Sequence, residues 1–194
     1  LDTPISELGI AGAAVGAAMT GMRPVLEIQF SDFVTLAMEQ IVNQAAKIHF
    51  MFGGKAKVPM VIRTLYGAGF RAAAQHSAVL YSIFTHMPGL KVVAPSTPYN
   101  AKGLLMAAIR DDDPVIFMEH LVLLDSSGPV PEGEYVVPIG KAEIARPGKD
   151  VTVVAIGRMR LFAIQAAEAL AKDGIDVEVV DPQSLSPLDE STIL

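Results

Sequence analysis

The sequence contains no cysteine and no tryptophan, and aromatic residues make up only 6% of its 194 residues. Without cysteine, the chain can form neither disulfide bonds nor thiolate metal sites. Charged residues are also scarce, at 19%, against about 25% in ordinary soluble domains. Because the net charge is −6, the composition argues against nucleic acid as a partner.

Long apolar runs are missing as well. The longest weakly polar stretch, 8–19, is rich in Gly and Ala and falls short of the roughly 20 residues that span a membrane. No charged N-terminal region leads into an apolar core and cleavage site, so no secretory signal is predicted. Hydrophobic residues nevertheless reach 51% and mean hydropathy is +0.41. We therefore expect a cytoplasmic protein without membrane association, whose apolar excess is covered by a partner subunit.

Phosphate and metal motifs are absent too. The sequence has no G-x-x-x-x-G-K-[ST] and no G-x-G-x-x-G motif, so the diphosphate of any cofactor must be held elsewhere. The four histidines show no metal-ligand spacing. We predict no zinc site.

Short apolar runs alternate with helical patterns along the chain, which predicts an α/β fold with a parallel sheet. Thr3 and Pro4 predict the start of a first helix, with Thr3 as its N-cap. A strand is predicted over 24–30, and helical spacing of apolar residues follows from Val34 to Ile48. Another helix is predicted to begin near Ser77.

The chain is predicted to contain two domains. Residues 1–124 would form the first, and 125–148, with four prolines and four glycines, would be an irregular linker. Residues 149–194 carry one βαβ unit, too little sheet to be stable alone. We expect the first domain to lack an N-terminal strand and the second to be partial, so that the sequence is part of a longer chain.

Three side chains are candidates for chemistry. Glu7 is either an acid favoured by the helix dipole in a first turn, or a carboxyl group in an apolar pocket that shares a proton with a ligand nitrogen. His76 lies at a loop-to-helix junction, where it either faces a cleft or is incidental. Phe33 follows a strand end, where α/β sheets contact ligands, although a core aromatic fits the same position.

A cation site is a further candidate. The run 111–113 consists of three aspartates directly after a predicted helix. Backbone carbonyls of Ala108, Asp111 and Asp113 would suit a monovalent cation such as K⁺. The competing interpretation is solvated loop charge beside a helix C-terminus.

Five sequence blocks resemble one known family. They are 2–7 (DTPISE), 39–47 (EQIVNQAAK), 74–77 (AQHS), 88–93 (PGLKVV) and 108–115 (AIRDDDPV). In this order, without gaps, they resemble the β subunits of the first components of 2-oxoacid dehydrogenase complexes. Within that group, 66–77 and 84–89 are most similar to acetoin dehydrogenase β subunits.

The resemblance implies a transketolase-like pyrimidine-binding domain followed by part of a transketolase C-terminal-like domain. It implies thiamine diphosphate as cofactor, and an α2β2 heterotetramer whose α subunit holds the diphosphate and Mg²⁺. It also implies a dihydrolipoyl acyltransferase core as the next partner. Glu7 matches the glutamate that bonds the pyrimidine nitrogen, and Phe33 matches a residue that packs on the pyrimidine ring. His76 matches a histidine that contacts the intermediate or assists transfer to lipoamide.

Three departures from the family pattern stand out. Leu121 replaces a common Lys and Gln183 a common Arg, and the segment at Arg160 lacks a common His. The resemblance therefore leaves the substrate open among acetoin, pyruvate and branched 2-oxoacids. A non-catalytic assembly module is the alternative from another class, and the joint presence of Glu7 and His76 argues against it.

Overall fold

The computed structural model describes all 194 residues and contains two sheets. The first sheet has the strand order β1-β2-β4-β3-β8, and the second has the order β5-β7-β6. The strands are β1 Val25–Phe30, β2 Val61–Tyr66, β3 Lys91–Val93, β4 Val115–His120, β5 Glu143–Arg146, β6 Val151–Val154, β7 Val177–Asp181 and β8 Ser184–Ser186. The helices are α1 Glu7–Met19, α2 Ser31–Val34, α3 Ala46–Met51, α4 Tyr81–Thr85, α5 Pro98–Arg110, α6 Met159–Leu170 and α7 Glu190–Ile193.

Strands β1 to β4 run parallel, which confirms the predicted fold class. The central strands β2 and β4 are almost continuously apolar and buried, as expected where helices cover both faces of a parallel sheet. Their register pairs Val61 with Val115 and Tyr66 with His120. The carboxyl ends of β1, β2 and β4 therefore lie at the same edge, and the loops that follow them meet there.

One layer of helices packs on each face of the first sheet. On one face lie α1 and a continuous helical segment, 31–51, whose middle part includes 3-10 and π turns. The buried positions of α1 are Ala11, Ala14, Val15 and Ala18, and the three small alanine side chains allow that segment to approach closely. Helix α5 covers the other face with Leu104 and Ala108.

The predicted start of the first helix is wrong. The first helical hydrogen bond runs from the Ile10 N–H to the Ser6 carbonyl, at 2.9 Å, and α1 begins at Glu7. Thr3 and Pro4 are exposed and irregular. The cap-like pair instead lies in the segment that leads past the cleft described below.

The predicted helix near Ser77 is also wrong. A 3-10 turn, Ala74–His76, precedes a short helix, α4, that begins only at Tyr81. Ala73 has a φ of 61°, a left-handed conformation that L residues adopt rarely, so no helix can run through it. Side-chain hydrogen bonds from elsewhere in the chain hold this loop, and a local pattern cannot show them.

Two strands were missed by the sequence patterns. The expectation of irregular structure up to residue 148 is wrong for β5, which pairs antiparallel with β7. Strand β8 follows β7 and joins the first sheet antiparallel to β3. The Ala94 N–H donates to the Gln183 carbonyl at 2.8 Å where the chain passes between the sheets. The last strand of the chain therefore fastens the second sheet to the first.

A buried charge cluster lies at this junction. Asp181 is fully buried, and the Arg160 Nε lies 3.4 Å from its Oδ2 without hydrogen-bond geometry. Arg160 also donates to Glu143 at 3.1 Å. The other oxygen of Glu143 accepts from Asn100 at 3.0 Å and from Gln183 at 3.4 Å. Arg160 thus supplies the cation of this cluster, and Gln183 contributes an amide to it.

Asp181 makes folding depend on pH. Burial raises the pKa of Asp181 to about 6, whereas the pKa of an Asp in the unfolded chain is about 3.9. Between these values the folded state holds more protons, so the free energy of unfolding falls as the pH rises from about 4 to about 6. Asp181→Asn lacks this titration. As the pH rises from about 4 to about 6, we therefore expect the difference in unfolding free energy between variant and wild type to shift in favour of the variant, by an amount of order 2–3 kcal/mol. Denaturant unfolding of both proteins at several pH values measures this. If the unfolding free energies of the two proteins changed with pH in parallel, the raised pKa of Asp181 would be contradicted.

Candidate active site

Glu7, Phe33 and His76 lie along the same cleft, whose volume is about 350 Å³. Glu7 stands in the first turn of α1, Phe33 in α2 directly after β1, and His76 in the 3-10 turn of the loop after β2. The cleft is completed mainly by Thr3, Pro4, Ile5, Ser6, Ile10, Glu27, Ile28, Gln29 and Phe30. The fold therefore brings together three side chains that are far apart in the sequence.

Three rings form an edge-to-face cluster in the cleft. The His76 ring centroid lies 4.7 Å from that of Phe30 and 5.3 Å from that of Phe33, nearly perpendicular to both. The two phenyl rings are 6.2 Å apart and also perpendicular. Such contacts fix ring orientation beyond what apolar burial achieves. They give the cleft an aromatic wall with one polar edge at His76.

Side chains at the start of α2 hold the loop of His76. The buried Ser31 hydroxyl donates to the Ala78 carbonyl at 2.9 Å, and the Asp32 carboxylate accepts from the Ala78 N–H at 3.4 Å. Since Phe33 is the next residue of the same helix, its ring and His76 are positioned by one short piece of chain. Ser31, Asp32 and Phe30 could not be predicted from the sequence, because their roles depend on contacts across 40 residues or more.

Glu7 differs from the other carboxylate that lines the cleft. Glu27 forms a salt bridge with Arg63 at 3.0 Å, whereas Glu7 has neither a salt bridge nor a side-chain hydrogen bond. Its surroundings include Ile10, Ile28 and the aromatic cluster. A half-buried carboxyl group without a partner, beside an aromatic wall, is suited to hydrogen-bond a nitrogen of a planar heterocycle.

The lining of the cleft suits a planar, uncharged ring and not a phosphate group. No Lys or Arg lines it, and neither phosphate-binding sequence motif is present. The aromatic wall offers a packing surface to a planar ring, and Glu7 offers it a hydrogen-bond partner. A phosphate group would need a cationic or metal site outside this cleft.

Two of the three proposed cation ligands, the carbonyls of Ala108 and Asp111, already accept hydrogen bonds within the chain, and the Asp111 and Asp113 carboxylates are paired. Lys91 Nζ lies 2.7 Å from the Asp111 carboxylate and 3.0 Å from that of Asp113. The Arg23 guanidinium donates to the Asp111 carbonyl at 2.6 Å, and the Ala108 carbonyl accepts from the Asp111 N–H at 3.3 Å. No group of three or more His, Asp or Glu side chains in the chain could hold a metal ion. The monovalent site stays a prediction, and a cation there would compete with Arg23.

None of the helices combines the length and apolar character that crossing a membrane requires.

Two family models match the chain in succession. Residues 1–125 match the pyrimidine-binding domain of transketolase. Residues 140–194 match the transketolase C-terminal domain. The first match covers the Glu7 cleft and the whole parallel part of the first sheet.

Several characterised proteins are similar over the whole chain. An acetoin:2,6-dichlorophenolindophenol oxidoreductase subunit beta of Cupriavidus necator is 59% identical over 194 residues, which are 100% of this chain and 57% of that protein. A protein of the same name from Bacillus subtilis is 57% identical, with 100% of this chain and 56% of that protein covered. The 2-oxoisovalerate dehydrogenase subunit beta of Bacillus subtilis is 50% identical, again over 100% of this chain and 60% of that protein.

A solved structure agrees with these matches. A split-gene transketolase, described as an inactive beta4 tetramer, superimposes with a TM-score of 0.83 and 25% identity. The comparison covers 100% of this chain and 60% of that one. The chain thus spans between 56% and 60% of the length of these relatives.

Proposed function

Since this chain belongs to the transketolase family, with a pyrimidine-binding domain followed by the family's C-terminal domain, we propose that it is the β subunit of a thiamine-diphosphate-dependent first component. The proposed reaction cleaves acetoin and transfers the acyl group to lipoamide on a dihydrolipoyl acyltransferase core. The observation that carries the proposal is that the unpaired Glu7 carboxyl group lines the same cleft as the Phe30, Phe33 and His76 rings. Subunits beta of acetoin oxidoreductases at 59% and 57% identity favour acetoin as the substrate.

Each candidate residue has a defined task. Glu7 hydrogen-bonds a pyrimidine ring nitrogen and holds or releases a proton there, while Phe33 packs on the ring and fixes its plane. His76, held by the Ser31 and Asp32 contacts, presents a ring nitrogen to the substrate or to the lipoyl acceptor. Bound thiamine diphosphate supplies the electron sink for carbon–carbon cleavage, and the protein orients and tunes it.

The partners follow from what the cleft lacks. An α subunit in an α2β2 heterotetramer would hold the diphosphate and Mg²⁺, because no cation lines the Glu7 cleft. We place the assembly in the cytoplasm, and we retain K⁺ at Ala108, Asp111 and Asp113 as part of the proposal. The division into domains at 1–124 and 149–194 likewise remains a proposal.

Turnover assays distinguish the candidate substrates. The chain, assembled with its α subunit, should reduce an artificial acceptor faster with acetoin than with pyruvate or 4-methyl-2-oxopentanoate. A preference for either 2-oxoacid would favour instead the β subunit of a pyruvate or branched-chain 2-oxoacid dehydrogenase. The branched-chain alternative has support of its own, because a 2-oxoisovalerate dehydrogenase subunit beta is 50% identical. Absence of turnover with all three substrates would favour the assembly module.

His76→Ala should separate activation of the cofactor from transfer. Exchange of the C2 proton of bound thiamine diphosphate should stay near the wild-type rate, because Glu7 serves that step. Acyl transfer to a lipoyl domain should fall by roughly 10²-fold or more, the scale of a lost acid–base or positioning group. Acid-quench NMR measures the exchange, and reduction of the lipoyl domain measures transfer. If transfer per folded enzyme is preserved while thermal stability drops, His76 is only structural.

A further inference from the structure

A second cleft lies apart from the Glu7 cleft and shares no lining residue with it. It is bounded by the carboxyl ends of β2 and β4, the loop that begins at Gly67, and the first turn of α6. Its volume is about 680 Å³, within the range of roughly 300–1,000 Å³ typical of small-molecule sites. We call it the Arg158 cleft, after the one cationic side chain in its wall.

Arg158 has no acidic partner. Its single side-chain hydrogen bond is a long one, 3.4 Å, to the Ala68 carbonyl. Arg160, two residues later, is by contrast paired with both Glu143 and Asp181. No Asp or Glu lines the Arg158 cleft. A guanidinium that faces a concave site without a carboxylate leaves its fork of donors available to an anion.

His120 adds a second donor. Its Nδ1 accepts a hydrogen bond from the Val122 N–H at 3.2 Å, so in the neutral ring the proton lies on Nε2. Burial and the nearby Arg158 charge lower the pKa of His120, which keeps the ring neutral at pH 7. Nε2 lies against Gly67, where an added Cβ would come within 2.5 Å of it. The missing side chain at Gly67 therefore leaves room for this nitrogen.

Apart from the phenol groups of Tyr66 and Tyr81, the remaining side chains of the wall are apolar, and several are open to solvent. Val79, Val154 and Met159 are large hydrophobic residues with 51%, 44% and 53% exposure. Ala155 and Ile156 continue the same surface. Exposed apolar residues gathered in a concave site indicate a ligand with an apolar body.

We propose that the Arg158 cleft binds a small molecule with an apolar body and one carboxylate group. The carboxylate pairs with the Arg158 guanidinium and accepts from His120 Nε2–H, and the apolar body packs on Val79, Val154 and Met159. This site does not depend on the reaction at Glu7, because the two clefts have separate walls.

Titration of the full chain with 3-phenylpropionate, followed by NMR or calorimetry at pH 7.5, tests the site. The uncharged 3-phenylpropanamide, similar in shape, is the matched ligand control. We expect saturable binding of the acid, with the amide at least about tenfold weaker, the scale of one charge-assisted hydrogen bond. Equal affinity for acid and amide, or no saturable binding of the acid, would overturn the proposal.

Variants locate the binding. Arg158→Gln should weaken binding of the acid at least about tenfold, whereas Arg158→Lys, which keeps the charge, should retain most of it. Arg110→Gln removes an exposed arginine that is paired with Glu134 and should leave the affinity unchanged, as should Glu7→Gln. An unchanged affinity in Arg158→Gln, or a loss in Glu7→Gln, would show that the acid binds elsewhere.

Discussion

Glu7→Gln in the α/β complex should lower turnover by about 10²–10⁴-fold, the usual contribution of a general acid–base group. The amide is close in shape to the carboxyl group but can neither hold nor release the proton at the pyrimidine nitrogen. Because Glu7 makes no salt bridge or side-chain hydrogen bond within the chain, the substitution breaks no internal contact. We therefore expect the melting temperature and the assembly with the α subunit to be unchanged.

A matched control separates the loss of this proton from a general effect of charge. Glu168→Gln makes the same chemical change at an exposed position of α6 and should leave turnover at the wild-type value. Steady-state rates at saturating thiamine diphosphate compare the variants. Wild-type turnover in Glu7→Gln would make Glu7 an ordinary first-turn acid, stabilised by the helix dipole.

Arg160→Gln should cause the largest loss of stability. It removes the cation beside Asp181, whose side chain is fully buried, and leaves the carboxylate unpaired at the junction between the two sheets. Breaking a buried ion pair on one side typically costs about 3–5 kcal/mol. For a chain of this length we expect a fall in melting temperature on the order of 10 °C. Arg110→Gln, which breaks an exposed pair with Glu134, should cost at most about 1 kcal/mol.

The same cluster allows a rescue experiment. Gln183 is buried, and its amide lies 3.4 Å from Glu143. An arginine at 183 would therefore bring a guanidinium back to these acids, and we expect Gln183→Arg to restore much of the stability lost in Arg160→Gln. Denaturant unfolding of both single variants and the double variant measures the coupling. Additive effects in the double variant would contradict a shared role for the two positions.

Local signals predicted the parts of the fold that local interactions determine. The start of α5 is such a part, because the Thr97 hydroxyl accepts from the Asn100 N–H at 3.1 Å and Pro98 stands at the first helical position. The apolar runs of β2 and β4 marked buried parallel strands for the same reason, since burial on both faces leaves a continuous pattern. These elements needed no knowledge of distant contacts.

Elements that depend on contacts with distant residues could not be predicted from local sequence patterns. Strand β8 has only three residues and exists because β3 offers it hydrogen bonds. The loop around His76 has no regular pattern, and Ser31 holds it from a distance of 47 residues. The cap-like signal at Thr3 and Pro4 was misleading, because Ser6 provides the first helical carbonyl.

In the candidate site, too, some residues could be predicted from the sequence and others only from the structure. Glu7, Phe33 and His76 were named from the sequence, and the structure places all three on one cleft. From its position alone, each of them could equally have had a purely structural role. Only the resemblance to a known family favoured a shared site. Phe30 completes the aromatic cluster but was not predicted, because the last residue of a strand carries no distinctive pattern.

Exchange of the C2 proton of bound thiamine diphosphate for deuterium, measured by acid-quench NMR in the α/β complex, tests the central role of Glu7 most directly. The wild type and Glu168→Gln should exchange at the same rate, and Glu7→Gln should be slower by about 10²-fold or more. Wild-type exchange in Glu7→Gln, with the cofactor shown to be bound, would contradict the proposed function of this cleft.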